Sequence, residues 1–422
     1  MLKRTRSFLV LVMLLMTVTM SAQVTTATMS GKVTAQDEPI IGATIVAIHE
    51  PSGTRYGTVT NVSGQFNLQG MRTGGPYKVE ISYVGYQTAI YKGINLLLGE
   101  NYVLNVSLKE SSELLDEVVV TASKESNMKS DRAGAIMNAN RDMISNTPTI
   151  SRSISDIMRL SPQGADVGNG FAVGGGNYRQ SFVTVDGAAF NNTFGLGGNL
   201  PANGSPISLD ALEQVTVAVT PFDVRQSGFT GGAINAVTRS GDNQFRGTAY
   251  MYFNNENLKG SKVDDYELLR SKAQYYTYGA SFGGPIIKDK LFFFVNGEYE
   301  DNVTAGSNYR PRTALGESYS GGNIHRPLQS DMDDMRGFLL NKYNFDPGKY
   351  NDYSTDTPAY RVMARVDWNA NQNNKVSFRF TKTHTKDSNF PTSSVSPLST
   401  SALYPGGTST EVIDGKPVGT IA

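Results

Sequence analysis

The chain has no cysteine, and its 422 residues include only three histidines, His49, His325 and His384. Without thiols there are no disulfides, no thiolate zinc or iron–sulfur centres and no cysteine to carry a lipid anchor. Three histidines so far apart leave little material for an imidazole metal site, and neither a metal nor another cofactor is expected. An excess of one charge is missing as well, since 38 basic side chains face 38 acidic ones. That balance lacks the clustered Lys and Arg with which a protein grips nucleic acid. No lysine occurs between Lys129 and Lys259, there is no His-Glu-x-x-His pair, and the one Gly-x-Ser-x-Gly string, Gly279 to Gly283, falls in a stretch of two-residue period rather than at a strand-to-helix elbow. Phosphate-loop chemistry and the commonest hydrolase signatures are thereby removed. With no catalytic constellation in sight, the chain is not expected to be an enzyme.

Long apolar runs are also scarce. The run from Phe8 to Val18 falls short of the ~20 residues that a membrane-spanning helix needs. It follows Lys3, Arg4 and Arg6 and precedes Ser21-Ala22, the arrangement of a secretory signal peptide over residues 1–22. Export without cysteines suits a bacterial envelope, where stability rests on cores and sheets. What the chain does have is 43 Gly, 21 Tyr and 19 Phe, with only 18% charged residues. Such a mixture favours strands and turns over helix bundles. The mean hydropathy of -0.30 excludes a helical membrane bundle but not a β-barrel, whose strands are only half apolar.

Residues 28–108 read as short strands separated by turns: Gly31 to Thr34, Pro39 to Ala47, Thr58 to Leu68 across a glycine turn at Gly64, Tyr77 to Tyr86, and Tyr102 to Leu108. Tyr77, Val79, Ile81 and Tyr83 alternate on one face. Together these predict a small antiparallel sandwich. The strings GKV, PIIGATIVA, GTVTNVSGQFNLQG and YKVEISYVGYQT resemble the carboxypeptidase regulatory-like domain, a transthyretin-type β-sandwich. Where that family usually has Asp this chain has Asn61, whose side-chain oxygen also caps the turn. The resemblance implies a spacer or interaction module.

Residues 109–146 turn polar and read as a linker, with one β-branched island from Leu114 to Ala122. Such a run has strand propensity but no local strand to pair with. It either docks on a partner's open sheet edge or packs as a lone strand on one of its own domains. The string DEVVVTA, residues 116–122, resembles the TonB box of TonB-dependent outer-membrane receptors. That resemblance implies capture by the energy-coupling protein TonB, with its inner-membrane energising complex, through Asp116, Glu117, Val118, Val119, Val120, Thr121 and Ala122.

From residue 147 to 246 a mixed α/β unit appears. Ile150, Ile154, Ile157 and Met158 recur at helical spacing, and Ser153 with Asp156 forms a capping-box pattern. Ser181 to Gly187 is a strand entering a turn, Ser208 caps a helical turn, and Val215, Val217 and Val219 alternate as a further strand. Gly228, Gly231 and Gly232 suit backbone passing close to a wall. The strings ISRSISDIMRLSPQ, VGGGNYRQSFVTVDGAAFNN and SLDALEQVTVAVTPFDVRQSGFTGGAINAVTRSGDNQFRG resemble the plug domain of TonB-dependent receptors, closest to the Oar-like branch. In a plug, Arg225 and Arg239 are placed to pair with carboxylates inside a barrel lumen. Tyr178, Asn191, Asn192 and Phe194 are candidate contacts for an extracellular ligand, because exposed Asn and aromatics suit sugars or peptides. Each of them also has the alternative of shaping a turn.

After residue 246 a two-residue period dominates. Tyr360, Val362, Ala364, Val366 and Trp368 share one face, and Arg361, Met363, Arg365 and Asp367 the other. Val376, Phe378 and Phe380 oppose Lys375, Ser377 and Arg379, while Tyr276, Tyr278, Ala280 and Phe282 form a similar face. Leu291 to Val295 puts aromatics on both faces, as at an interface girdle, and a long loop runs from Asp301 to Asp356. Apolar outside and charged inside is the pattern of a transmembrane β-barrel in outer-membrane lipid. The strings FGGPIIKDKLFFFVNGEYE and FRGTAYMYFNN resemble the opening barrel strands of Oar-like receptors. Plugged transporters have 22 strands, and residues 247–422 suffice for only about five to seven. Unclosed edges facing lipid are not tolerated, so the chain is expected to be the front part of a longer protein or a truncated product.

The fold expected is therefore mainly β: a transthyretin-like sandwich, a small α/β plug domain and the first strands of an incomplete transmembrane barrel. The family implies energised uptake or gating in the cell outer membrane, with the N-terminal domain in the periplasm. An exported, non-transporting binding or adhesion module is the alternative. The ligand is not legible in the sequence.

Overall fold

Alternation of apolar and polar residues builds most of the elements seen in the computed structural model, which describes residues 25–110, 118–121, 135–149, 152–167, 170–191, 200, 205–219, 230–258, 260, 262–263, 266–267, 272–305, 310–317, 324–350, 353–371, 374–386, 410–413 and 416–419. The signal-peptide reading of 1–22 falls outside them. The chain divides into two units, Met1–Ala249 with Gly279–Glu298 and Tyr360–His384, and Tyr250–Tyr278 with Tyr299–Ala359 and Thr385–Ala422.

The first unit begins with a two-sheet sandwich. Strand β1 (Ala27–Ala35) lies between β2 (Glu38–Pro39) and β5 (Gln65–Met71), while β3 (Thr44–His49) pairs with both β4 (Thr54–Val59) and β6 (Gly74–Ser82). Strand β7 (Ala89–Leu96) extends the second sheet beside β6, and β8 (Asn101–Val103) and β9 (Val106–Ser107) pair in parallel with β1. The inward residues Met29, Val33, Ile45, Phe66, Leu68, Tyr77, Val79, Ile81 and Leu96 make one apolar core. Within the first sheet neighbouring strands approach tightly at Gly31, where a Cβ would stand 1.8 Å from the Leu104 carbonyl oxygen between β8 and β9. Asn61 caps its turn through Oδ1, which accepts from the amides of Ser63 at 3.0 Å and Gln65 at 2.9 Å.

The β-branched island forms strand β10 (Val118–Thr121), paired in parallel with β7 from Val118 opposite Ala89 to Thr121 opposite Lys92. Of the two fates open to it, the strand sits on a domain of its own chain. Its pairing ends where β7 bulges: the β6–β7 register shifts between Tyr77 and Val79, and Gly93 takes a φ of 80°, a conformation glycine adopts without strain.

The α/β domain follows. Strand β11 (Ala135–Ala139) and helix α1 (Arg141–Asn146) arise within the stretch read as linker, followed by α2 (Ile154–Met158) and the short pair β12 (Gly164–Asp166) and β13 (Phe171–Val173). Strands β14 (Phe182–Val185), β15 (Ala188–Ala189), β16 (Leu212–Val219) and β17 (Gly232–Thr238) complete a five-stranded sheet in the order β11-β16-β17-β14-β15. The apolar face of α2, with Ile154, Ile157 and Met158, packs on that sheet with Val183, Val215, Val217 and Ile234. Asp156 accepts from the Ser153 backbone amide at 3.3 Å, as its spacing foretold. Ile150 lies outside the described residues. A Cβ on Gly232 would meet Val173 Cγ1 at 2.5 Å, so the close approach is to β13 of the same domain rather than to a wall, and Gly228 lies outside the described residues.

The wall strands are β18 (Arg246–Asn255), β21 (Gln274–Ile287), β22 (Leu291–Ala305), β26 (Ala359–Asn369) and β27 (Lys375–Thr385), neighbours in that order. Between them come β19 (Lys262–Val263) with β20 (Tyr266–Glu267), β23 (Arg310–Arg312) with β24 (Ile324–Leu328), helix α3 (Gln329–Tyr343), and β25 (Ser354–Asp356) on β22. A last hairpin joins β28 (Thr410–Ile413) to β29 (Lys416–Gly419). Helix α3 stands where a long loop was read. None of its residues is buried, so it has no apolar stripe for a periodicity to reveal. Its segment Asp331 to Asp334 includes Asp333, which accepts from the Tyr350 hydroxyl at 2.6 Å.

In the first unit the wall strands are two-sided as expected. Phe282, Ile286, Val362, Val376, Phe378 and Phe380 are exposed, and Arg361, Met363 and Arg365 on the opposite faces are buried. The aromatic girdle reading of Leu291 to Val295 needs correction. Phe292 and Phe294 are buried, and Phe294 belongs to the core of the α/β domain rather than to an outer belt.

One buried group makes the sandwich pH-sensitive. His49 shares a 2.7 Å hydrogen bond with Ser52 and tilts against the Tyr77 ring. Burial, helped by the Arg72 cation, lowers its pKa from 6.5 to about 2. The folded state therefore holds the ring neutral while the unfolded chain takes up a proton below pH 6.5, so stability is lost as pH falls. Hydrogen exchange of the β3 and β6 amides should report an opening free energy lower by about 2 kcal/mol at pH 5 than at pH 7. The His49→Gln variant should lose that slope, and an unchanged slope would refute the assignment.

Candidate functional site

The α/β domain meets the wall strands of its own unit along a seam of charged and polar groups. Each arises from local structure. Ser208 precedes a helical turn, Leu209–Ala211, and its hydroxyl caps the Asp210 amide. The same hydroxyl donates to Glu298 Oε2 of β22 at 2.8 Å. Glu298 Oε1 accepts from Arg361 Nη1 of β26 at 2.9 Å, and Arg361 Nε donates to the Ser205 carbonyl at 2.5 Å. All three side chains are buried. A charge so placed is tolerated only when paired and hydrogen-bonded, and here each end of the pair also holds the loop 205–208.

A second knot forms at the Asp186–Gly187 turn, where Asp186 takes a φ of 51°. Asp186 accepts from the Thr238 amide at 3.0 Å and the Thr238 hydroxyl at 2.5 Å. Two wall guanidiniums face it, Arg379 Nε at 3.5 Å and Arg365 Nη1 at 4.0 Å. Arg365 in turn donates to the Thr238 carbonyl at 2.6 Å and grips Asp367 with two nitrogens at 2.7 and 3.1 Å. Asp367 also accepts from Ser240 and Ser377.

The third knot is Asp210. Arg141 donates to it at 3.0 Å, Thr248 of β18 at 2.7 Å, and Arg239 lies at 3.6 Å. Burial pushes its carboxyl up, but hydrogen bonds from Ser281, Thr248 and Arg141 outweigh that and hold it below the ordinary aspartate value. Arg239 stacks over the Phe294 ring at 4.9 Å. Its carboxylate partner, Asp210, comes from the α/β domain itself. Arg225 lies outside the described residues.

The sandwich is fastened to the same assembly. Gln214 of β16 accepts from the Leu98 amide at 2.8 Å and donates to the Leu96 carbonyl at 3.1 Å. The wall turn at Asp289 exchanges hydrogen bonds with Asn243 at 2.7 and 2.9 Å, Asn243 donates its amide to the Pro51 carbonyl at 2.9 Å, and Asn369 donates to Thr54 Oγ1 at 3.0 Å.

Of the residues singled out for coupling, Val118, Val119, Val120 and Thr121 lie together on β10, and Asp116, Glu117 and Ala122 fall outside the described residues. Of the ligand candidates, Tyr178 opens a helical turn, Tyr178–Gln180, and its hydroxyl accepts from Arg179 Nε at 3.0 Å. Asn191 braces β14, accepting from the Val183 amide and donating to the Ser181 carbonyl, both at 2.7 Å. Asn192 and Phe194 are not among the described residues. The wall arginines were legible as an inward face and Ser208 as a cap, but its wall partner Glu298 and the turn residue Asp186 were not singled out. Single polar residues carry no periodic signal, and only the fold brings them opposite a guanidinium.

Residues 28–109 match the family model of the carboxypeptidase regulatory-like domain, and residues 237–413 that of an outer membrane beta barrel domain. The TonB-dependent transporter Oar of Myxococcus xanthus is 27% identical over 256 residues, covering 59% of this chain and 22% of that protein. The TonB-dependent receptor SusC of Bacteroides thetaiotaomicron is 29% identical over 269 residues, covering 60% of this chain and 24% of that protein. The siderophore receptor PirA from Acinetobacter baumannii overlaps at a TM-score of 0.41 and 16% identity, over 60% of this chain and 31% of its own. The chain thus spans less than a quarter of the length of either curated relative. A regulatory-like sandwich, an outer-membrane barrel match and two curated relatives of one kind make the chain similar to TonB-dependent receptors over the matched residues.

Proposed function

We propose that this chain supplies the coupling segment, the gate and the first wall strands of a receptor that imports or gates a ligand across the outer membrane with energy drawn through TonB. The observation that carries this reading is the polar seam between the α/β domain and the wall strands, centred on Glu298, Arg361, Asp186 and Arg365. A domain held in place by apolar packing would expose that surface on leaving. One held by charges exchanges its partners for water as it moves, because separated ions regain their hydration.

The sequence of events follows from this. Ligand binds on the outer face, where Tyr178, Asn191, Asn192 and Phe194 are the proposed contacts. Residues 116–122 pair with TonB as an added strand, and the N-terminal sandwich works on the periplasmic side. Force applied through the segment loads the α/β domain, the seam hydrates, and a path opens along the charged wall face. No step calls for covalent chemistry, a metal or another cofactor.

Deleting Val118–Val120 from the full-length receptor tests the coupling role. The variant should reach the outer membrane in normal amount and still bind its ligand at the cell surface, while energised uptake falls to the level of cells lacking TonB. Uptake that survives the deletion would contradict the proposal. Ligand binding with no energised uptake in the unmodified receptor would favour the adhesion-module alternative.

A further inference from the structure

The coupling segment is not the last strand's worth of hydrogen bonding on its sheet. Strand β10 stands at one end of the order β10-β7-β6-β3-β4, and among the described residues β7 is its one strand neighbour. A four-residue strand uses one side of its backbone on β7 and keeps the other side open. An open edge of this kind is a template for another chain. Its usual cost is the entropy of holding the peptide extended, at roughly 1–2 kcal/mol per residue. Here that cost is met by β7 before any partner arrives.

The platform beneath it is anchored. Strand β7 belongs to the sheet that closes the sandwich core, with Ile94 and Leu96 buried in it. Just beyond, Leu96 and Leu98 are held from both sides by the Gln214 side chain of β16. A pull on β10 therefore reaches the central sheet of the α/β domain through β7 and Gln214, as well as along the chain toward β11.

Resting on the coupling role proposed above, we infer that the regulatory-like sandwich presents the segment to TonB: the partner strand adds to the outer edge of residues 118–121 while their inner edge remains on β7, giving one composite sheet. The sandwich is then a docking platform and part of the force path. The segment need not detach before capture.

The cysteine-free chain makes this directly testable. Thr121 and Lys92 are register partners, and Lys92 is exposed, so a Thr121→Cys/Lys92→Cys pair can be closed by mild oxidation without cutting into the core. In-register neighbours fall within the separation a disulfide spans. Binding of the purified periplasmic domain of TonB to the full-length receptor is measured oxidised and reduced, with a Val118–Val120 deletion alongside. Presentation predicts that the crosslink forms and that the oxidised receptor binds as tightly as the reduced one or more tightly. A loss of roughly tenfold or more on oxidation, restored by reduction, would mean that the strand must leave the sheet, and the inference falls. Failure of the crosslink to form would also overturn it, since the strand would not rest on β7. Deletion without effect on binding would instead remove the coupling role itself, an outcome distinct from the other two. If the reduced cysteine pair alone prevents binding, Val119→Cys/Ile90→Cys repeats the comparison two register pairs away.

Discussion

A strand that turns one face to hydrocarbon must turn its other face, residue by residue, to whatever fills the space behind it. The rest of this structure depends on that constraint. In β26 Tyr360 and Val362 face outward while Arg361, Met363 and Arg365 face inward and are buried. Buried guanidiniums demand carboxylates and carbonyls at hydrogen-bonding distance. The wall supplies Glu298 and Asp367, and the α/β domain supplies Asp186 and the carbonyls of Ser205 and Thr238. The domain is thus shaped by the charges it has to satisfy.

Two kinds of cohesion are used for two purposes. The sandwich closes over an apolar core, with Gly31 where strands of its first sheet approach tightly, and such packing is built to stay shut. The seam adds hydrogen bonds and the Asp186 ion pairs to the packing of Phe294 and Met363. Removing one member of a buried pair costs about 3–5 kcal/mol, whereas exchanging the whole pair for other good partners is close to neutral. Water can be that other partner. A seam of this kind is firm while dry and yields when its groups are hydrated together, which suits the movement proposed for the domain.

Much of the fold was legible because it rests on periodicity. The faces of Tyr360 to Trp368 and of Val376 to Phe380, the alternation around Tyr77 and the capping pattern at Ser153 all reflect repeats of two residues or of a helical turn. Elements without an apolar repeat escaped. Strand β11 and helix α1 were absorbed into a polar linker because their boundaries lack strong punctuation, and α3 was missed because it buries no face. Phe292 and Phe294 were read as a girdle because aromatics at a wall end suit either lipid or a packed interior, and only the neighbouring domain decides. At the seam, Arg361 and Arg365 were visible as an inward row and Ser208 as a cap, whereas the seam contacts of Asp186, Ser208 and Glu298 join residues 52 to 193 positions apart, which no local pattern encodes. Residues 114–122 stood out by their β-branched run, but which sheet edge they would occupy was left open between a partner and their own chain.

Polar contacts tie the α/β domain to the wall beside the apolar packing of Phe294 and Met363. The most direct test is a double-mutant cycle on Ser208 and Glu298, which lie 2.8 Å apart across that seam. Ser208→Ala, Glu298→Gln and the double variant are compared in the full-length receptor in micelles, with hydrogen exchange of the Leu212–Val219 amides reporting the opening free energy. A hydrogen bond to a buried carboxylate predicts a coupling of about 1.5–3 kcal/mol between the two sites. Additive costs, within about 0.5 kcal/mol, would contradict the account and leave apolar packing as what holds the domain in place.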